Sequence, residues 1–389
     1  MKEYKWPLMK DNMTLMDRVR MAKFCLTSNK FTNGLKVREF ESSWSEYVGS
    51  KYSLYVSSGS TANYLLIAAI KEVYGLKTGD KVIVPACTWV TNVNPVFQLG
   101  FQPIFCDVNY NTFTYCEQDL KYISEQHPDI KMVFTTHLMG FPAPVERYKE
   151  IFPNALFIDD VCESHGSLNS DGTMVGSNSL GATFSFYFGH HMSTIEGGMV
   201  CTNDSRIYDM MRLKRSHGLA RESENKEVYY DTYVDIDKQF LFVTDGYNFR
   251  NHELCAVLGL SQLKRLESMI ERRNDNFLKF YQVLLDHSDK VYLPEYNESS
   301  ISSFCLPIIF RESKNVFYFK NLCDINGVEY RPIISGNLLK QPYLKHFQVT
   351  SCKQTLDVDI IHKNGVYLGN NQFVGDKEIN LLDNILKNL

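Results

Sequence analysis

The chain has 389 residues, of which 44% are apolar and 22% charged, with a formal net charge of −4. That size and balance suit a globular protein of two ordinary domains, or of one large core with a smaller lobe. The mixed charges form no basic stripe for a phosphate backbone, the start "MKEYKWPLMKDN" has no apolar leader, and no run approaches the roughly 18 apolar residues of a membrane span; nucleic acid and membrane are excluded as partners and a cytoplasmic place is expected.

In chain order, "YSLYV" (52–56), "KVIVPA" (81–86), "QPIFCDV" (102–108), "KMVFTTHL" (131–138) and "ALFIDD" (155–160) are expected as strands. "TANYLLIAAIKEVYG", "VTNVNPVFQLG" and "EQDLKYISEQ" between them have helical spacing. The strands are almost continuously apolar, which suits a mostly parallel sheet buried on both faces. From about 251 to 286 the pattern gives one or two helices without a strand. "SSFCLPIIF", a helix around 314–325, "VEYRPI" and "KEINLLDNILKNL" then suggest a smaller α+β lobe. The expected division is 1–270 for a large ligand-binding domain and 271–389 for a small C-terminal one.

Ten cysteines stand singly at 25, 87, 106, 116, 162, 201, 255, 305, 323 and 352, without a C-x-x-C pair. That spacing argues for reduced thiols and for no metal or iron–sulfur site.

Ligands bind beyond the carboxyl ends of strands in open parallel sheets. "YSLYV" runs into Ser57-Ser58-Gly59-Ser60-Thr61 at the start of a helix, where free backbone N–H groups suit an anion. "KVIVPA" leads to Trp89, and "ALFIDD" ends in Asp159-Asp160, followed by Glu163 and His165. Singly these read as a serine-capped helix, a packed tryptophan and a capping carboxylate. Jointly they are a phosphate pocket, a stacking ring and a buried carboxylate, which is what a pyridoxal cofactor needs.

With "SFYFGHH....EGG" and "GYNFRNHE" following in order, the chain resembles the fold-type I, pyridoxal-phosphate sugar aminotransferases of the DegT/DnrJ/EryC1/StrS family, from "FTNGLKVREFE" (31–41) to "NGVYLGNNQ" (364–372). The resemblance implies an α/β, aspartate aminotransferase-like fold with a mostly parallel central sheet and a smaller C-terminal α+β lobe. It also implies cofactor contacts from Gly59, Ser60 and Ser185 to the phosphate, from Trp89 to the ring, from Asp160 to the pyridine nitrogen and from Glu163 near the ring face. Asn248 is expected to reach the phosphate of a neighbouring subunit and Arg250 to point into the substrate site, as in a homodimer with shared active sites.

The family's Schiff-base lysine would stand six residues before Glu196, and that residue is His190. No lysine occurs between Lys149 and Lys214. An imidazole exchanges protons near neutral pH but cannot form an imine. Together with "R-x-HG-x-x-R" (Arg215 to Arg221), "GYN-x-R" and "RPI-x-x-GN" (Arg331 to Asn337), this is similar to one branch, the GDP-4-keto-6-deoxy-D-mannose 3-dehydratases. That likeness implies pyridoxal 5'-phosphate (PLP) alternating with pyridoxamine 5'-phosphate (PMP), L-glutamate as amino donor, a GDP-4-keto-6-deoxy sugar as substrate and His190 as base. His217, Arg221, Arg250 and Arg331 are expected to bind substrate anions, and His191 to be packing. The alternatives are an ordinary sugar aminotransferase, opposed by the missing lysine; an iron–sulfur CDP-sugar dehydrase, opposed by the scattered cysteines; and a catalytically silent nucleotide-sugar-binding protein.

Overall fold

The computed structural model describes residues 4–347, 349–351 and 356–389. Its strands are β1 (Tyr52–Val56), β2 (Lys81–Pro85), β3 (Gln102–Cys106), β4 (Ile130–Thr136), β5 (Leu156–Asp160), β6 (Gly181–Ser185), β7 (Gly198–Thr202), β8 (Val291–Tyr292), β9 (Cys305–Phe310), β10 (Tyr330–Pro332), β11 (Thr350–Ser351) and β12 (Gly365–Gly369). Eight of them form one sheet in the order β1-β7-β6-β5-β4-β2-β3-β11, and four form a second in the order β10-β12-β9-β8. In the large sheet β7 is antiparallel to both neighbours and all other adjacent pairs are parallel. The carboxyl ends of β1, β6, β5, β4 and β2 therefore share one rim, the place where ligands bind in open sheets.

Alternation along the strands builds a core on each face. Val82 and Val84 pack with Leu65, Leu66 and Ile70 of the helix Gly59–Val73, while Ile83 between them packs with Leu120 and Ile123 of the helix Glu117–Gln126. Burying such side chains stabilises the fold by about 1.5–3 kcal/mol each. The five strands expected from the sequence are present. β6 and β7 were not among them: "GATFS" and "GMVCT" are short, begin on glycine and are rich in small residues, although every one of their side chains is buried. The expected helix 90–100 is a 3₁₀ turn, Val90–Asn92, followed by a short helix, Asn94–Gln98. Pro95 has no N–H to continue a helix begun upstream, so the helix restarts around it.

Position 270 falls inside the helix Leu266–Asp286. The first described residues lie against the smaller sheet: the N–H groups of Lys5 and Trp6 donate to the Gly327 carbonyl, and the Trp6 indole donates to Gly369 O at 2.9 Å. The chain then crosses to the large domain, where Arg265 donates to Asn12 O at 2.9 Å and pairs with Asp17. Conversely, β11 extends the large sheet beside β3. Among the described residues no helix is long and apolar enough to cross a membrane. Among the described residues nine cysteines are free and no group of three or more His, Cys, Asp or Glu could hold a metal; Cys352 lies outside the described residues.

Candidate active site

A cavity of about 380 Å³ opens at the carboxyl rim of the large sheet. Gly59, Ser60, Trp89, Asp160, Glu163, Ser185, His190 and Arg331, eight of the expected site residues, line it.

β1 delivers the first of them. Ser58 caps the helix Gly59–Val73: its hydroxyl accepts from Thr61 N at 3.1 Å, and Thr61 Oγ1 accepts from Ser58 N at 3.0 Å. The cap leaves the N–H groups of Gly59 and Ser60 in the first turn, where a helix has no internal acceptor for them. A side chain at Gly59 would put its Cβ 2.7 Å from Ser185 Cβ and 3.2 Å from Cys162 Sγ. Glycine thus lets the helix start come against the ends of β5 and β6, with the Ser60 and Ser185 hydroxyls at the cavity wall beside it.

Asp160, the last residue of β5, is buried with both carboxylate oxygens occupied. Oδ2 accepts from Asn63 Nδ2 at 2.9 Å and from Asn92 Nδ2 at 3.0 Å, and Oδ1 accepts from Cys162 N at 2.9 Å. Thr183 Oγ1 donates to Asn63 Oδ1 at 2.5 Å, and Thr88 Oγ1 donates to Asn92 Oδ1 at 2.9 Å, which orients both amides. Trp89, just past the end of β2, lines the cavity and remains 57% exposed.

Glu163 accepts from Met139 N at 2.9 Å, a bond for which Met139 adopts a left-handed backbone, φ 55°. Burial pushes the Glu163 carboxyl up to about 7; the Met139 N–H opposes this and the neighbouring Asp160 charge adds to it. A carboxyl protonated in the folded state and ionised in the unfolded one loses stability as pH rises from 4.5 towards 7. Glu163→Gln, which keeps the acceptor for Met139, is therefore expected to raise the stability of the cofactor-free protein at pH 8 by up to about 3 kcal/mol. The gain should vanish near pH 4; melting curves across that range check it, and a gain that does not depend on pH would contradict this origin.

His190 sits in the loop between β6 and β7, closed by hydrogen bonds from Phe186 N to Gly197 O and from Thr194 N to Phe186 O. Behind the loop the buried Trp44 packs edge-on against Phe184 and Phe186, with centroids 5.2 and 4.8 Å away. The His190 ring lies beside Phe304 at 5.3 Å and His165 at 6.1 Å. Burial and then the Arg273 charge bring its imidazole down to about 3, opposed by a Cys162 backbone contact, so at neutral pH it is an unprotonated base. His191 turns the other way, fully buried, with Nε2 3.2 Å from both Ser302 O and Ser302 Oγ.

Four expected residues lie outside this cavity. Arg250 Nε donates to Asn248 Oδ1 at 3.0 Å, and its Nη2 is 3.3 Å from His217 Nε2, so these three form one exposed cluster. Arg221 is bonded to Gln239 O at 3.1 Å. Sequence reading missed Asn63 and Asn92, which hold Asp160, as well as Arg273 and Met9. Asn63 is one turn beyond Gly59 on an otherwise apolar helix face, and that lone amide is a visible signal of a buried partner. Met9 gives no signal, because only the fold brings it against Gly189.

Residues 14–379 match the DegT/DnrJ/EryC1/StrS aminotransferase family. The chain belongs to that family. A relative from Yersinia pseudotuberculosis, named GDP-4-keto-6-deoxy-D-mannose 3-dehydratase, is 36% identical over 93% of each chain. The solved structure of the E. coli GDP-4-keto-6-deoxy-D-mannose-3-dehydratase with bound hydrated PLP superposes with a TM-score of 0.90 at 30% identity, covering 99% of this chain and 100% of that one. A GDP-4-keto-6-deoxymannose-3-dehydratase with a trapped PLP-glutamate geminal diamine matches with the same TM-score and identity over 98% of this chain and 100% of that one.

Proposed function

We propose that this chain is a PLP/PMP-dependent 3-dehydratase that removes the C3 hydroxyl of a GDP-4-keto-6-deoxy sugar, with L-glutamate as amino donor, in the making of a bacterial surface polysaccharide. The observation that carries the reading is the cavity wall at residue 190. An anion cradle, a covering indole and a pinned carboxylate fit PLP, yet the residue facing them is an imidazole, and among the described residues no lysine lines the cavity. The nine free cysteines support a reducing, cytoplasmic setting.

When bound, PLP supplies an electron sink, and its amino form supplies the amine that engages the sugar's C4 ketone. The first-turn amides of Gly59 and Ser60, with the Ser185 hydroxyl, hold the phosphate. Asp160, fixed by Asn63 and Asn92, holds a proton on the pyridine nitrogen, and Trp89 covers the ring. Glu163 is on the same wall, accepting from Met139 N, and burial raises its carboxyl to about 7. His190 takes a proton from the glutamate α-carbon and delivers it, then repeats the exchange once the sugar is bound. Having no amine, it leaves the cofactor noncovalently held and cannot displace the product as a lysine would. The C3 hydroxyl would leave as water, with glutamate supplying nitrogen and the two electrons and ending as 2-oxoglutarate; hydrolysis would then release the nitrogen as ammonia and give the 4-keto-3,6-dideoxy sugar. Arg331 offers the cavity a cation for substrate carboxylate or phosphate.

The cluster of Asn248, His217 and Arg250 serves the cavity of a second copy in a homodimer, with Arg221 beside it on the substrate side. Unfolding and refolding two variants together tests this: Arg250→Ala and His190→Asn are each expected to be inactive alone, and the refolded mixture should regain activity in about a quarter of its sites. No recovery would place both residues in one subunit's site.

The decisive experiment incubates the protein with PLP, L-glutamate and GDP-4-keto-6-deoxymannose. Ammonia with a dideoxy product is expected. An amino sugar would instead identify an aminotransferase, and absence of PLP binding would identify a silent sugar-nucleotide binder.

A further inference from the structure

Arg273 lies on the buried face of the helix Leu266–Asp286, 3% exposed. Its Nη1 donates to Phe304 O at 2.9 Å and to Asn370 O, and its Nη2 to His190 O at 3.4 Å. Among the described residues it forms no ion pair with a carboxylate, and its Nε is buried without an acceptor. A guanidinium taken out of water without a counter-ion is costly, so packing alone does not account for it.

The three carbonyls it gathers belong to the site. His190 is the proposed proton carrier, Phe304 places its ring against the His190 imidazole, and Asn370 follows β12, whose last residue, Gly369, lines the cavity. Around His190 the titratable groups on the inner side are His165, His191 and Cys162, with Cys305 from β9 and Tyr187 from its own loop. Burial holds both other histidines neutral and both thiols protonated. Across the cavity stand Asp160, Glu163, Glu196 and Arg331. Arg273 is thus the fixed positive charge on the buried side.

We propose that Arg273 is a positioning residue for proton transfer: its fork ties the His190, Phe304 and Asn370 carbonyls together, fixing the imidazole at the cavity wall with a permanent cation behind it. The role rests on His190 being the acid–base group. A cation behind the ring disfavours a second positive charge, so His190 takes a proton only while substrate supplies one and returns it readily. Lysine can keep the charge but not the planar fork, whereas methionine fills the space and keeps neither.

The test uses the cofactor-free protein with ¹³Cε1-labelled histidine, the His190 signal being assigned with His190→Asn. In the wild type and in Arg273→Lys, His190 is expected to stay neutral down to the acid limit of the fold. In Arg273→Met its midpoint should rise by on the order of one pKa unit. In the PLP-loaded protein the acid limb of the glutamate half-reaction should move to higher pH in Arg273→Met, with the KM for glutamate unchanged. If Arg273→Met does not fold, Arg273→Gln, which keeps amide donors without charge, is read the same way. An unaltered His190 titration together with an equal loss of rate at every pH would overturn the proposal. Failure of the dehydratase reading would show separately, as a wild type without turnover but with a responsive His190 signal.

Discussion

His190→Asn is expected to bind PLP about as tightly as the parent protein and to be slowed by roughly 10²–10⁴-fold in both half-reactions, the usual contribution of a positioned acid–base group. The argument is geometric. Phosphate cradle, indole and Asp160 are built from the ends of β1, β2, β5 and β6, and none of the hydrogen bonds that hold them uses the His190 ring. Phe304 and His165 pack against the ring without bonding it, and its Cys162 backbone contact is separate from the Cys162 N–H that Asp160 accepts. Removing the imidazole therefore removes a base and leaves a binding site. Loss of PLP absorbance on adding glutamate reports the first half-reaction, and ammonia release reports the second. A variant that loses only one of them would assign the other to a different group.

Gly59→Ala is expected to act in the opposite sense, on binding and not on chemistry. The glycine has an ordinary helical backbone, so alanine adds no torsional strain; the obstacle is the 2.7 Å contact with Ser185 Cβ. The β6 end is held by strand pairing and the turn after β5 by the Val161 N–H donating to Thr183 O, and forcing a methyl between packed elements costs about 1–3 kcal/mol. PLP should bind roughly ten- to hundredfold more weakly, with kcat at saturating PLP near that of the parent. Ser185→Gly removes the opposing Cβ together with a hydroxyl proposed to hold the phosphate, so the double variant should lose less affinity than the two single changes added together; a strictly additive loss would mean that the packing contact is not the cause.

Much of this architecture is legible in the sequence because it is written in local chemistry. Apolar runs that end in Ser-Gly-Ser, Trp or Asp-Asp name both the strand and the group at its rim. β6 and β7 escape because glycine-initiated five-residue segments carry little β preference of their own and are made strands by what packs on them. Asn63 and Arg273 stand at buried helical positions among apolar neighbours, and the sequence shows that something polar is buried there but not what it meets. The partner of Asp160 is 97 residues from it in the chain, and the His190 carbonyl is 83 residues from Arg273. The exposed cluster around Arg250 was legible only through resemblance, since a single chain does not contain the cavity it is proposed to serve.

The threading of the first residues has a consequence for biosynthesis. Leu8 and Met9 share the cavity wall with Tyr367 and Gly369, and Trp6 is seated by carbonyls at both 327 and 369. Because a ribosome issues residue 8 long before residue 369, the nascent protein has its phosphate cradle and Asp160 well before it has a closed pocket. A chain that has not yet reached β12 therefore presents the cradle without the wall that Tyr367 and Gly369 supply.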